Sequence, residues 1–161
     1  MLEYITNVEE AVVQLHRVTS TGGRFVNVAT NWGALFWTGG DSDLTSRMVS
    51  IWRRHAPHPN LPIALPSLLN AAGFGAVRQS PITIVNRHFH PNTFGYGIAH
   101  LMAAFALARN EMSQDEIDSW LASLAEGDNH NRYFLSSVPI LTVATRLYAR
   151  IHTLGELDRR R

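Results

Sequence analysis

Apolar residues at Val8, Ala11, Val12, Leu15 and Val18 recur with the period of one helix face, so residues 8–19 are expected to form a helix. Asn7 suits its N-cap, and Glu9 and Glu10 suit the positive end of its dipole. Gly22 and Gly23 break the pattern. The β-prone run RFVNVAT then predicts a first strand over residues 24–30. Residues 31–40 read as a loop rich in aromatics and glycine, and Asp41, Ser42 and Asp43 offer a cap for a helix over 43–55. PHPNLPIALP reads as an extended connector, with Pro66 opening a helix that stops at Gly73. A second strand is expected over residues 76–89, broken or edged at Pro81. A long apolar helix follows over 93–109. Ser113 and Glu116 have capping-box spacing, so another helix runs from there to about Ala125. A third strand is expected over 133–145, with Pro139 inside it, and the tail after Arg146 reads as helical or frayed. The order is α-β-α-α-β-α-α-β.

Composition narrows the class. With 161 residues and 45% hydrophobic content the chain can bury one core without disulfide or metal. Charged residues make up only 17%, and the net charge is +1, which argues against a nucleic-acid binder. All 14 basic residues are arginine, a skew that reads as codon bias. Cysteine is absent, which removes thiolate chemistry and zinc fingers. There is no apolar run of membrane-spanning length and no signal-peptide pattern, so the expectation is a soluble, cytoplasmic protein without a membrane partner.

The segment LEYITNVEEAVVQLHRVTSTGGRFVNVATNWGALFW resembles the part of class I S-adenosylmethionine-dependent methyltransferases that follows their fourth strand. AAGFGAVR resembles the turn into their sixth strand, and YFLSSVPILTVATR their final antiparallel strand. The resemblance covers about residues 2–146 and is greatest for small-molecule methyltransferases. It implies an α/β fold: a truncated Rossmann-like methyltransferase domain. Its three-stranded mixed sheet would have two parallel strands and an antiparallel one between them, with large helical cap insertions. The sheet core would occupy 8–40, 64–90 and 133–146, the caps 41–60 and 93–127, and the tail 147–161, all in a single domain over 1–161. The family's glycine-rich cofactor loop and second-strand acid have no counterpart: Gly73-Phe-Gly75 and Gly95-Tyr-Gly97 are the only G-x-G steps, and neither opens a βαβ unit. No cofactor is therefore expected.

In that arrangement the strand ends share one rim, where open α/β sheets place ligands. Asn31, Trp32, Phe36, Trp37, Trp52, Tyr96, His100 and Tyr133 are the candidate substrate-binding residues, and His88, His90 and Arg132 the candidate catalytic donors. The Trp32, Phe36 and Trp37 cluster reads equally as a pocket wall or as core. His88 and His90 would lie on one strand face, as acid and base, as metal ligands or as hydrogen-bonded structural groups. No carboxylate lies close in sequence to complete a metal site, so none is expected. His55 and His58 read as part of a solvated connector, and His100 as a core histidine or a pocket donor.

Methyltransferase-like folds have been redeployed as cyclases in natural-product pathways. Aromatic walls with few charges suit a cofactor-independent cyclase, of which a cycloaddition catalyst is one kind, that folds an apolar, polyketide-like substrate by proximity and a few hydrogen bonds. The rivals are a non-catalytic pseudo-methyltransferase subunit and the C-terminal fragment of a true methyltransferase. The unblunted edge of the first strand further predicts a homodimer.

Overall fold

The structure, a computed structural model, describes residues 2–148; the expectation for the tail beyond them lies outside the described residues. After a 3-10 turn at Leu2–Tyr4, helix α1 spans Val8–Val18. Asn7 caps it by accepting from the Glu10 N–H at 3.2 Å. Strand β1 is Arg24–Thr30. The expected loop that follows holds a 3-10 turn, Trp32–Ala34, and a short strand β2, Phe36–Thr38. Helix α2 is Ser42–Trp52, capped by Asp41.

Helix α3 spans Leu61–Ala71, so it begins ahead of Pro66. Pro66 has no N–H to donate to the Pro62 carbonyl one turn back. The Gln79 side chain supplies that donor instead, at 2.8 Å, and the helix continues through the proline. The face that α3 buries explains why: Leu61, Leu65 and Leu69 recur every fourth residue and are at most 2% exposed. Each is worth roughly 1.5–3 kcal/mol of apolar burial, comparable to what an interior proline costs.

Strands β3, Phe74–Pro81, and β4, Ile84–Asn86, replace the second predicted strand. Helix α4 is Phe94–Ala108, and helix α5 is Gln114–Asn129 with the Ser113–Glu116 capping box formed. Strands β5, Phe134–Ser137, and β6, Pro139–Arg146, replace the third.

The expected single mixed sheet is instead two small sheets, β1-β6-β3 and β2-β5-β4, and every ladder in them is antiparallel. β6 lies between β1 and β3 and runs against both, so no parallel ladder forms. The chain is interrupted at the same level three times: after β1 at residues 31–35, and within the second and third predicted strands at 82–83 and at 138. Prolines mark two of the breaks, Pro81 closing β3 and Pro139 opening β6. A proline cannot donate to the ladder, so it sits where pairing stops or starts. Sparse bonds cross this crease, among them the Ile82 N–H to Pro139 carbonyl at 2.8 Å.

Each sheet has its own core. α3 lies against β1, β6 and β3, with α1 against α3, and they bury Val12, Phe25, Leu65, Leu69, Phe74 and Ala144. β2, β5, α2, α4 and α5 enclose the other, with Trp37, Met48, Met102, Trp120, Tyr133 and Leu135. There the Trp120 indole N–H donates to Thr45 Oγ1 at 3.0 Å, satisfying a fully buried donor.

One face of the β1-β6-β3 sheet has no such cover among the described residues. Val26 and Val28 are 60% and 49% exposed. Arg24, Ala76, Arg78, Ser80, Leu141, Val143 and Thr145 line a depression of about 410 Å³ on the same sheet.

Candidate active site

The strand ends and caps gather most of the predicted rim residues, but into two separate aromatic groups. In the first, Trp32 meets Trp52 edge-on, with ring centroids 5.5 Å apart, and both indoles are buried. The structure adds His55, stacked on Trp52 and edge-on to Trp32. His55 is therefore packed against the core rather than carried in a solvated connector. Burial pushes its imidazole pKa down, against the smaller opposing effect of its bond to the Trp52 carbonyl. Asn31 adjoins this group in sequence, and its Oδ1 is buried without a hydrogen-bond partner.

The second group is a strip running His100, Tyr96, Phe89, Tyr133, Trp37 and Trp120. Successive ring centroids are 4.2, 5.0, 5.6, 6.5 and 5.5 Å apart. Trp37 and Trp120 are buried and Tyr96 is half-buried, while His100 points outward, with its Nδ1 2.9 Å from the Tyr96 carbonyl. His100 is thus not a core histidine. Local sequence explains how the strip closes. Gly95 places the start of α4 against Tyr133, where a side chain would collide with the phenol oxygen. The Gly95 N–H is held by Asn86 Oδ1 at 2.6 Å.

His88 and His90 do not share a strand face. β4 ends at Asn86, and residues 87–93 turn into α4. His90 belongs to that turn: its carbonyl accepts from the Thr93 N–H and hydroxyl. The Pro91–Thr93 start signal for α4 therefore reaches back and ends the strand earlier than its β-prone residues suggest. His88 meets Asp128 instead, with Nδ1 3.0 Å from Oδ1. An ionised carboxylate only accepts, so the proton of that bond sits on Nδ1 and the Nε2 atom is left to solvent. Asp128 also faces Tyr133. Burial raises the Tyr133 pKa far above the usual phenol value, the neighbouring Trp37 side chain lowers it, and the Asp128 charge raises it further; the phenol oxygen itself is buried without a hydrogen-bond partner. The phenol thus stays a hydrogen-bond donor at any physiological pH.

His88, Asp128 and the Phe89–Tyr96–Tyr133 rings form the candidate site, one imidazole able to exchange a proton beside an aromatic surface. Arg132 is exposed just after α5, its backbone N–H donating to the Gly127 carbonyl. Phe36 is exposed and packs edge-on against Phe134. Among the described residues neither side chain has a ring contact or hydrogen bond with the strip. Asp128 and Phe89 are the residues that sequence reasoning missed. The link between positions 88 and 128 depends on how far α5 runs, and no spacing encodes it. Among the described residues, no group of three or more His, Asp or Glu side chains is placed to hold a metal ion, and no helix is long and apolar enough to cross a membrane.

No protein-family profile matches the chain, and no curated protein matches it. Among solved structures it is similar to Haemonchus contortus phospholethanolamine N-methyltransferase 2, in complex with phosphomonomethylethanolamine and S-adenosylhomocysteine. The identity is 11% and the TM-score 0.40, over 91% of this chain and 32% of that one. The chain thus spans about a third of the length of that methyltransferase, and the likeness is one of chain path alone.

Proposed function

We propose that this chain is the substrate-facing part of a methyltransferase-like assembly, and that a second protein covers the open face of the β1-β6-β3 sheet. The observation that carries this is the one-sided sheet. Its covered face packs on α3, while its open face joins the apolar Val26, Val28, Leu141 and Val143 to Arg24 and Arg78. Among the described residues neither arginine has an ion-pair partner. The occupant that matches is an amphipathic element bearing carboxylates, because two cationic faces of this kind repel each other. The test is crosslinking and mass spectrometry in extract of the source cells, comparing the native chain with Arg24→Glu/Arg78→Glu, together with calorimetric titration by S-adenosylmethionine. The expected result is one defined partner lost in the double variant, and cofactor binding by the pair only. A partner retained by the variant, or micromolar cofactor binding by the chain alone, overturns the proposal.

A second reading, a cofactor-independent cyclase of apolar polyketide-like molecules, is favoured by the His88–Asp128 pair beside the aromatic strip. In it the unprotonated His88 Nε2 accepts a proton from the substrate while the part-exposed rings fold the chain. Turnover by the isolated protein that falls with His88→Gln and with Asp128→Asn supports this reading over the first.

A further inference from the structure

From the geometry between β2 and α2 we infer a binding site for a small aryl or alkyl carboxylate. A cleft of about 280 Å³ opens there, walled by Leu35, Phe36 and Val49, with Ser46, Ser50 and Arg53 on its α2 side. Residues 46, 49, 50 and 53 fall on one face of a helix, so their side chains line one wall of the cleft.

The charges around α2 single out Arg53. Arg47 is paired with Glu116 and Arg54 with Glu111. Arg53, at the C-terminal end of the same helix, has no ion pair or side-chain hydrogen bond among the described residues. The Ser46 and Ser50 hydroxyls on the same wall likewise have no hydrogen bond among the described residues. A guanidinium fork with two hydroxyl donors matches the two oxygens of a carboxylate.

The other half of the cleft is apolar. The Phe36 side chain is 56% exposed, an uncommon state for a phenylalanine on a strand, and its neighbours Leu35 and Val49 are half-buried. A volume of 280 Å³ lies at the lower end of ligand pockets, which limits the occupant to roughly one ring with a short acid chain. This site needs nothing from the open sheet face, so it stands whether or not a partner protein covers that face.

The probe is 3-phenylpropanoate, with 3-phenylpropanol as its neutral counterpart, titrated into the whole chain and followed by amide chemical shifts. The expected result is saturable shifts confined to residues 35–38 and 45–53, with Kd of about 1 mM or tighter for the acid. Binding of the alcohol should be at least about tenfold weaker, and Arg53→Gln should weaken the acid by at least about tenfold. Ser50→Phe, a surface change that fills the cleft, should abolish binding while the rest of the spectrum is unchanged. Absence of saturable shifts, equal binding of acid and alcohol, or undiminished binding by Arg53→Gln or by a folded Ser50→Phe overturns the inference.

Discussion

The His55 imidazole lies flat on the Trp52 indole, with ring centroids 4.0 Å apart and planes only 5° from parallel. Its Nδ1 is 2.6 Å from the Trp52 carbonyl, which fixes the ring, and its Nε2 is buried without a partner. The neutral ring is therefore the form that the fold accommodates.

Stability is expected to fall as the medium is acidified through the histidine range. The folded-state pKa of His55 lies below its ordinary 6.5, so the unfolded chain takes up this proton first. Its contribution is fully present above pH 6.5 and is lost as pH drops from there through the folded-state pKa. Urea unfolding at stepped pH measures it, and His55→Phe, which keeps the stack, should show a flatter profile. Equal slopes in the two proteins would contradict it. Glu3, whose pKa burial raises, works in the opposite direction at lower pH, so the difference between the two proteins is the informative quantity.

Asp128→Ala is expected to change the tautomer of His88 more than the stability of the fold. The His88 side chain is 70% exposed, which limits the pair to about 0.5 kcal/mol or less. Long-range nitrogen–proton correlation should show the neutral ring protonated on Nδ1 in the native protein and shifted toward Nε2 in the variant. The same tautomer in both would remove Asp128 from the site.

A methyl group at position 127 is expected to destabilise the chain severely. Gly127 lies on α5 against the backbone of Gly39, and a Cβ would run into the Gly39 carbonyl oxygen. Gly39 has φ +104° and sits close to the Tyr133 backbone, so it has little freedom to withdraw. Gly127→Ala should cost about 3 kcal/mol or more, at or beyond the upper end of overpacking effects, read as a lower urea midpoint. Gly97→Ala, where nothing lies within 4 Å, is the control and should be neutral or stabilising.

Self-association is expected edge to edge along the β1 backbone, which extends the sheet without bringing two open faces together. β1 is an edge strand, with Val26 and Val28 exposed and no proline or lysine along Arg24–Thr30. Light scattering at micromolar concentration should give twice the 18.0 kDa chain mass. Val26→Lys/Val28→Lys should return the monomer, because charges on an edge suppress pairing. A native protein of 18.0 kDa would show that the edge is protected otherwise.

Helix starts were the most legible part of the sequence, because a start is a local chemical event. Asn7 and the Ser113–Glu116 pair cap the helices they predict, and β1 occupies the residues expected of it. The start of α3 was not legible: the Gln79 amide that repairs the gap at Pro66 comes from a strand met only after the helix has ended. β2 was hidden for a related reason, since three residues of Phe-Trp-Thr become a strand only by pairing with β5, almost a hundred residues later. At the site, the aromatic content could be read, but which rings touch could not. Trp32 and Trp37 are near neighbours in sequence, yet they join different groups because the chain turns between them at Trp32–Ala34.

The crease across the three strands has a mechanical consequence. The two cores share no side chain, and the sheet backbone passes between them at three short interruptions. Distortion from repacking one core reaches the other through those links and through the α2–α3 connector, where the Trp32 N–H bonds the Pro59 carbonyl and His55 meets Tyr4, so substitutions on opposite sides and away from these contacts should add without coupling. Each side is then free to change under selection without unsettling its neighbour: the α2–α4–α5 layer can vary what it binds while the α1–α3 layer keeps the sheet upright.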